Sequence, residues 1–207
     1  MKNKEIYMEI KKRIIFLDYK PKQYLSIKDL AKEFGVSTIP IRELLVRLET
    51  EKLVLILPNK GIYVADISFQ GFKDIFEVRL FLMGLVGRLV AQRITPEGLE
   101  KLKELLLKIK QEKDHDVLMK LDAEFHNLLN YHTKNETLIG IEEILRNQIS
   151  RLWFFVQDSD IYFSHLSEII EELIKALESR EQNKCEEILK NHTLDFMEQI
   201  KASLYSE

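Results

Sequence analysis

Asp122 and His126 stand four residues apart in a stretch whose apolar residues have helical spacing. Residues at this separation lie one above the other on one face of an α-helix, so both side chains point to the same place. A carboxylate and an imidazole together suit Zn, Ni or Mn rather than Ca. The pair predicts a metal-ligating position, and a buried hydrogen-bonded pair without a metal is the alternative.

A second feature that could bind a ligand is an arginine inside an apolar helix. Arg79 lies in FEVRLFL, where apolar residues surround the helix nearly completely, which predicts burial. A buried guanidinium needs an anion, and a carboxylate ligand suits its paired N–H groups. An internal salt bridge with Asp122, Glu124 or another acid is the alternative. Arg151, in QISRLWFFV, is a further candidate for effector binding because its helix could line the same cavity.

These side chains need helices to position them. The sequence after residue 67 has helical periodicity and no strand pattern. Short polar breaks separate six predicted helices, and short connections of this kind are typical of an antiparallel bundle. The predicted helices cover residues 69–94, 96–113, 116–133, 135–157, 161–180 and 182–204.

The N-terminal third has a different organisation. An amphipathic helix is predicted over residues 3–18, and two short helices follow on either side of Gly35, which suits a left-handed helix end. Ser37 is expected to cap the second of these helices. Two short apolar runs joined by Pro58-Asn59-Lys60-Gly61 then predict a β-hairpin. A helix, a turn, a second helix and a hairpin together are the layout that places a recognition helix in the DNA major groove.

This N-terminal stretch resembles the winged helix-turn-helix of GntR-family transcription regulators. The segments DLAKEFGVSTIPIRELLVRLETEKLV and PNKGIYV carry the SxxPxRE core and the PNxG wing of that family. The resemblance implies DNA binding. Most members have Arg at the position of Thr38, so the loss of that side chain predicts an altered operator preference or weaker binding.

Arg42 is the strongest candidate for reading a base, because it lies in the first turns of the recognition helix and Arg on guanine is the commonest specific contact. Arg47 is expected on a solvated helix face. The other residues expected to contact phosphate, neighbouring bases or the minor groove are Lys28, Ser37, Thr38, Lys60 and Gly61.

The C-terminal half resembles the FCD effector domain of the FadR branch of the same family. The matching residues are Arg79, Asp122 with His126, Asn135 and His192. In metal-bearing members, an Asp and three His from three helices hold one divalent ion. The resemblance therefore implies Asp122, His126 and His192 as metal ligands.

The remaining family ligand position falls at Ile170, and the nearest histidine is His165. A separation of five residues turns a side chain about 140° away from the original helix face. His165 is therefore a ligand candidate only if the start of its helix re-aims it. His115 and His132 are expected to be ordinary surface or helix-end residues.

Composition and charge bound these interpretations. The chain has 207 residues and one cysteine, Cys185, which suits a reducing cytoplasm, and no run of apolar residues long enough for a membrane helix. Residues 1–67 hold 13 Lys or Arg and 9 Asp or Glu, a net charge of +4, and the remainder has a net charge of −7. A basic head on an acidic body indicates that only the first part meets phosphate.

We therefore expect a mostly α protein, with a winged helix-turn-helix domain at residues 1–67 and an all-helical ligand-sensing and dimerisation domain at residues 68–207. The expected function is a cytoplasmic transcription regulator, acting as a repressor, that binds operator DNA as a homodimer and senses a small carboxylate. One divalent metal (Zn, Ni or Mn) is the expected cofactor. Two alternatives stay open: a metal-free sensor of acyl ligands, which Ile170 favours, and a metal-dependent helical enzyme with a DNA-binding head.

Overall fold

The structure is a computed structural model that describes residues 2–156 and 160–204. Side chains are described over residues 3–68, 70–115, 117–152 and 165–202. These residues form nine helices and one antiparallel two-stranded sheet, which confirms the predicted mostly α class. Two compact units comprise Met1–Phe72 with Ile144–Phe155, and Lys73–Glu143 with Val156–Glu207. The domain boundary after residue 67 stays a prediction. Among the described helices, none combines the length and the apolar character that crossing a membrane requires.

The six helices predicted after residue 67 are confirmed, with ends that agree within two residues. In chain order the elements are α1 (Lys2–Ile15), α2 (Ile27–Phe34), α3 (Thr38–Thr50), β1 (Val54–Leu57), β2 (Gly61–Val64), α4 (Phe69–Arg93), α5 (Pro96–Gln111), α6 (His115–Thr133), α7 (Glu136–Val156), α8 (Asp160–Glu178) and α9 (Gln182–Leu204).

The first helix is shorter than predicted. It ends at Ile15 rather than at residue 18, and Leu17 has a left-handed backbone with φ 62°. Lys22 adopts the same conformation, with φ 64°. A side chain in this region costs roughly 1 kcal/mol, so both turns are held by the packing around them.

The helix-turn-helix is built by caps and a one-sided apolar face. The hydroxyl of Ser26 accepts a hydrogen bond from the backbone N–H of Asp29 at the start of α2. Gly35 ends that helix with φ 61° and donates its N–H to carbonyls of the last turn, as predicted. The inward residues of α3, which form a core with α1 and the hairpin, are Ile41, Leu44, Leu45 and Leu48.

The hairpin is an antiparallel wing that the preceding segment extends. Val54 pairs with Val64, and the turn closes where Leu57 pairs with Gly61. Leu25 donates its N–H to the carbonyl of Ile62 at 2.8 Å, so the residues before α2 lie along β2. Gly61 has φ 113°, and any Cβ there would meet the ring of Tyr24 at 2.5 Å. The backbone conformation at the wing tip therefore favours glycine.

A buried polar cluster joins α1 to the end of the recognition helix α3. The hydroxyl of Tyr7 donates to the Glu51 carboxylate, and the Lys11 ammonium lies 2.8 Å from the same carboxylate. The Arg47 guanidinium lies 3.9 Å from the centroid of the Tyr7 ring. The predicted solvated arginine thus stacks on an aromatic ring although its side chain is 62% exposed. These contacts fix α3 against α1.

In the second unit, α4 and α9 approach closely. A Cβ at Gly87 of α4 would overlap the backbone carbonyl of Cys185 in α9. Cys185 itself is fully buried, and this burial raises the pKa of its thiol to about 11. Its burial and raised thiol pKa make Cys185 a core residue and not a reactive thiolate.

His132 differs from the prediction of a surface histidine. It lies in the last turn of α6 but is only 4% exposed, because its imidazole packs against Gly98 at the start of α5. Burial lowers the pKa of His132, and the charges of Lys134 and Lys101 lower it further. The helix-end position was predicted correctly, and its burial was not.

Candidate functional site

Helices α6 and α9 bring three potential metal ligands together. Asp122 and His126 lie one turn apart on α6, with Asp122 Oδ1 3.6 Å from His126 Nε2. His192 of α9 stacks its ring on that of His126, with the centroids 5.7 Å apart. One ligand atom from each of the three residues lies within 4.8 Å of the others. Two imidazoles and one carboxylate thus converge on one point.

The surroundings favour a neutral imidazole at His192. His126 and His192 are both 4% exposed. Burial lowers the pKa of His192 to about 4, and the positive charge of Arg79 contributes in the same direction. A metal binds imidazole only in its deprotonated form, so His192 is in the required state at neutral pH. The donor set fits Zn, Ni or Mn, and three protein ligands leave coordination positions for a small ligand.

A pocket of about 380 Å³ between α8 and α9 reaches this cluster. Its wall includes His192 itself, and Asp195 and Phe196 from the following turn of α9. Ile169 and His165 form the α8 side. The pocket therefore gives a small molecule a path to His192.

Arg79 is buried in α4 and carries its charge near the imidazoles. Its Nε donates to Glu142 Oε2 at 3.3 Å, and Glu142 of α7 is 1% exposed. Arg79 thus pairs with an internal acid, as the alternative predicted. That acid is Glu142 and not Asp122 or Glu124. The contact is a single long hydrogen bond and not a bidentate pair. Among the described atoms, Glu142 Oε1 has no hydrogen-bond partner, so the pair is incompletely satisfied.

The recognition helix presents its predicted DNA-contacting residues to the outside. Arg42 and Thr38 lie four residues apart on α3 and are both exposed. Ile39, next to Thr38 on α3, is 69% exposed. The other predicted contact residues are Lys28, Ser37 and Lys60, which are exposed, and Gly61, which is half-buried.

Ser37 occupies the N-cap position of α3 as predicted, but its side chain makes no capping hydrogen bond within the described residues. By contrast, Ser26 caps α2 directly. The Ser37 hydroxyl is therefore not committed to its own helix, which suits a hydrogen bond to a phosphate oxygen.

Two family matches together span most of the chain. Residues 2–64 match the bacterial regulatory proteins of the gntR family, and residues 74–195 match the FCD domain. The FCD match alone covers more than half of the chain. The chain belongs to the GntR family, in its FCD branch. Members of this family are transcriptional regulators and not enzymes, so the enzyme alternative is set aside.

Full-length relatives agree with this assignment. The chain is 27% identical to the Nta operon transcriptional regulator of Aminobacter aminovorans, over 88% of this chain and 86% of that protein. It is 26% identical to the HTH-type transcriptional regulator McbR of Escherichia coli, over 98% and 92%. A solved structure of E. coli McbR/YncC has a TM-score of 0.81 at 21% identity and covers 99% of both chains, which shows a shared fold. The protein is a DNA-binding transcriptional regulator.

The GntR–FCD ligand pattern is incomplete in this chain. His165 does not join the cluster of Asp122, His126 and His192. Its side chain is 60% exposed, and its Nδ1 lies 3.3 Å from Glu168 Oε2 on the same helix. Ile170, at the family's ligand position, is fully buried. The structure thus assembles three of the four predicted ligands, because five residues of helix turn His165 outward.

Arg151 has a partner close to it in space but distant in sequence. It belongs to the first unit, where it is 2% exposed and its guanidinium donates to the carbonyl of Ala65, just after the wing. Burial lowers its pKa to about 10, and the charge of Asp66 opposes this effect. This contact gives Arg151 a structural partner within the chain, and its predicted role in effector binding stays a prediction.

Glu142 is the residue of this site that sequence reasoning did not identify. It lies 63 positions from Arg79. The sequence contained a signal for its burial, because Glu142 has helical spacing to the apolar residues Leu138, Ile149 and Leu152. All four residues are buried on α7. An acid at a position that otherwise holds apolar residues requires a buried cation.

Proposed function

We propose that this GntR regulator is a repressor that binds a palindromic operator as a homodimer in the cytoplasm and is released by a small carboxylate. The observation that supports this proposal most strongly is the cluster of Asp122, His126 and His192, with a neutral His192 beside the charge of Arg79. A divalent ion on these three ligands, together with Arg79, would supply the positive charge that suits an anionic ligand.

The three clustered residues would hold one divalent ion, either Zn, Ni or Mn. Such an ion would supply positive charge for a carboxylate, and its open positions would accept carboxylate oxygens. Arg79 would hold a second carboxylate oxygen with the N–H groups that its single 3.3 Å contact to Glu142 does not use, so that the buried pair stays intact.

On the DNA side, Arg42 would read a guanine edge, and Thr38 and Ile39 would contact the neighbouring bases. Lys28 and Ser37 would contact phosphates, as would Lys60 at the wing tip. Two copies would place two recognition helices about one turn of DNA apart, which requires a palindromic site. The effector regulates only if it binds the DNA-competent and released arrangements with different affinity.

The first test is the metal content of purified, untagged protein, measured by mass spectrometry. The wild type is expected to hold near-stoichiometric Zn, Ni or Mn. Asp122→Ala is expected to lose it, because one of three ligands is removed. His165→Ala is the matched control and is expected to keep the metal, since that side chain is exposed and lies outside the cluster. Loss of metal in His165→Ala would contradict this ligand set.

The second test measures the response of DNA binding. Operator sequences are selected from random double-stranded DNA, and fluorescence anisotropy then follows release by a panel of mono-, di- and tricarboxylates. The double variant Arg79→Met with Glu142→Met, which leaves no unpaired buried charge, is expected to bind DNA normally and to lose the carboxylate response. If no sequence were selected, the operator proposal would be contradicted. An unchanged response in the double variant would contradict the role of Arg79 alone.

A second candidate is a metal-free sensor of acyl ligands. The observation in its favour is Ile170, which places a fully buried apolar side chain at a family ligand position. Under this alternative the purified protein is folded and empty of metal. Acyl derivatives, and not short carboxylates, would then release it from DNA.

A further inference from the structure

The outward face of the recognition helix α3 carries two exposed apolar side chains. Ile39 is 69% exposed and Val46 is 46% exposed. They are seven residues apart, which is about two helical turns, so both point in nearly the same direction. The buried residues of α3 are Ile41, Leu44, Leu45 and Leu48. At about 100° per residue, Ile39 points roughly 170° away from the mean direction of these four residues, and therefore directly away from the core.

Ile39 also lies at the end of α3 that approaches bases in helix-turn-helix proteins. Thr38 is the first residue of the helix, and Ile39 is the second. The N-terminal residues of a recognition helix are those that contact base edges in the major groove. Arg42, one turn further along, is exposed as well. An apolar side chain thus occupies the outward direction where the helix would meet base pairs, and a cation lies beside it.

The major groove offers one apolar group to such a side chain, the C5-methyl group of thymine. The groups that identify adenine, guanine and cytosine there are hydrogen-bond donors and acceptors. Ile39 has neither a donor nor an acceptor in its side chain. Placed against one of those three bases, it would remove water from a polar group without replacing the lost hydrogen bond. Placed against thymine, it would bury a methyl group.

We propose that Ile39 contacts the methyl group of a thymine and so specifies a T·A base pair in each half of the operator. This inference rests on the operator binding by a homodimer that is proposed above. It goes further in naming a base that the operator contains and the chemical group by which that base is recognised.

The position of Arg42 limits where this thymine lies. Side chains three residues apart on a helix have Cβ atoms about 5–6 Å apart. Successive base pairs of DNA are separated by about 3.4 Å along the helix axis. The thymine contacted by Ile39 is therefore expected within about two base pairs of the guanine that Arg42 would read.

Ile39→Ser is the variant that removes the apolar contact and leaves the fold intact. The side chain of Ile39 is mostly in solvent, and isoleucine and serine have similar helix propensities. Met8→Ser is the matched control, because Met8 is a 52% exposed apolar residue on α1 of the same unit. Circular dichroism spectra and thermal melts of both variants are expected to match those of the wild type.

The first experiment compares thymine with uracil in the DNA. Operator sequences are selected with the wild type from random double-stranded DNA. Each thymine of the selected site is then replaced in turn by uracil, which keeps the hydrogen-bonding groups of thymine and lacks only its methyl group. Fluorescence anisotropy measures the affinity. At one thymine, the wild type is expected to bind the uracil site about 4-fold more weakly, and about 15-fold more weakly when both half-sites are changed.

The two variants show whether Ile39 is responsible for this difference. Ile39→Ser is expected to bind the thymine and uracil sites equally well, since it has no apolar side chain to bury the methyl group. Met8→Ser is expected to keep the ratio of the wild type. The same ratio in Ile39→Ser as in the wild type would overturn the assignment to Ile39.

The other outcomes separate this inference from the proposal on which it rests. A wild type that selects no sequence would overturn the operator binding itself. A wild type that selects a site and binds every uracil version of it as tightly as the thymine version would overturn the thymine contact and leave operator binding in place.

The second experiment tests the register by repeating the selection with two variants. Ile39→Ser is expected to relax the preference for thymine at one position of each half-site, and Arg42→Ala to relax the preference for guanine at another. The two positions should lie within about two base pairs of each other. Relaxation at one common position, or at positions more than about half a turn of DNA apart, would overturn the proposed register.

Discussion

The two functional regions of this regulator place their charged side chains in opposite environments. Arg42 of α3, which we propose reads DNA, is exposed, while Arg79 of the proposed effector site is 5% exposed and pairs with the buried Glu142. A surface arginine is solvated in the free protein and costs nothing to keep until DNA replaces its water. A buried arginine must have a partner within the fold. Residues such as Arg42 can therefore change without affecting folding, whereas Arg79 and Glu142 are part of the core.

The largest expected effect comes from breaking the buried pair. Arg79→Ala leaves the Glu142 carboxylate buried without its cation, and we expect it to lower the free energy of unfolding by about 3–5 kcal/mol. Urea titration followed by circular dichroism measures this change. The double variant Arg79→Met with Glu142→Met removes both charges and is expected to recover most of the loss. A fully stable Arg79→Ala protein would show that the pair is not energetically coupled to the core.

The corresponding change at the surface should affect binding and not stability. Arg42→Ala is expected to weaken operator binding by about 1–3 kcal/mol and to relax preference at one base position. Its unfolding free energy should stay within about 0.5 kcal/mol of the wild type. Lys28→Ala is a useful comparison, because losing a phosphate contact weakens binding to all sequences and reduces the salt dependence by about one ion. Full operator affinity in Arg42→Ala would argue against its role as a base reader.

Two N-cap serines, Ser26 and Ser37, allow an effect on stability to be compared with an effect on DNA binding within the N-terminal unit. Ser26→Ala removes a capping hydrogen bond of α2, and we expect about 1 kcal/mol of destabilisation. Ser37→Ala removes a hydroxyl that makes no cap, so its effect on unfolding should stay below about 0.5 kcal/mol while DNA affinity falls. Thermal melts and anisotropy titrations give both values. Equal destabilisation by the two variants would mean that Ser37 also caps its helix in solution.

The smallest expected effect concerns pH and the buried His132. Burial, with the charges of Lys134 and Lys101, lowers its pKa in the folded protein below its value in the unfolded chain. As the pH falls below about 6.5, His132 therefore binds a proton in the unfolded chain before it does so in the folded protein. The free energy of unfolding decreases between that pH and the lower pKa of the folded protein. His132→Gln has no imidazole to protonate at this position, so it should lack this loss of stability. Its free energy of unfolding relative to the wild type should therefore rise as the pH is lowered from 7 to 5. Urea titrations at several pH values measure the difference, and parallel curves would contradict the assignment.

Much of the fold was accessible from sequence because its signals are local. Thr95, just before Pro96, accepts a hydrogen bond from the N–H of Gly98, and Ser68 accepts one from Gly71, so the predicted starts of α5 and α4 are correct. Gly35 ends α2 in the expected conformation. Caps and glycines act within one turn of chain, and a single sequence contains everything that determines them.

The missed features depend on contacts between distant residues. The partner of Arg79 is an acid on another helix, and His132 is buried because Gly98 leaves space for an imidazole. Helical periodicity correctly turned Asp122 and His126 to one face, and it also indicated that His165 would turn away. Periodicity specifies which side of a helix a residue occupies. It does not specify which residue of another helix lies opposite.

Cys185 has a practical consequence for measuring the arrangement of two copies. It is the single cysteine of the chain, it is fully buried, and its thiol has a pKa of about 11. Only a small fraction of this thiol is ionised at neutral pH, so maleimide and methanethiosulfonate reagents should leave it unmodified. A cysteine introduced at an exposed position such as Glu43 on α3 would then be the one labelled site per copy. Spin labels placed there would report the separation of two recognition helices directly, with and without a carboxylate, in the otherwise native sequence.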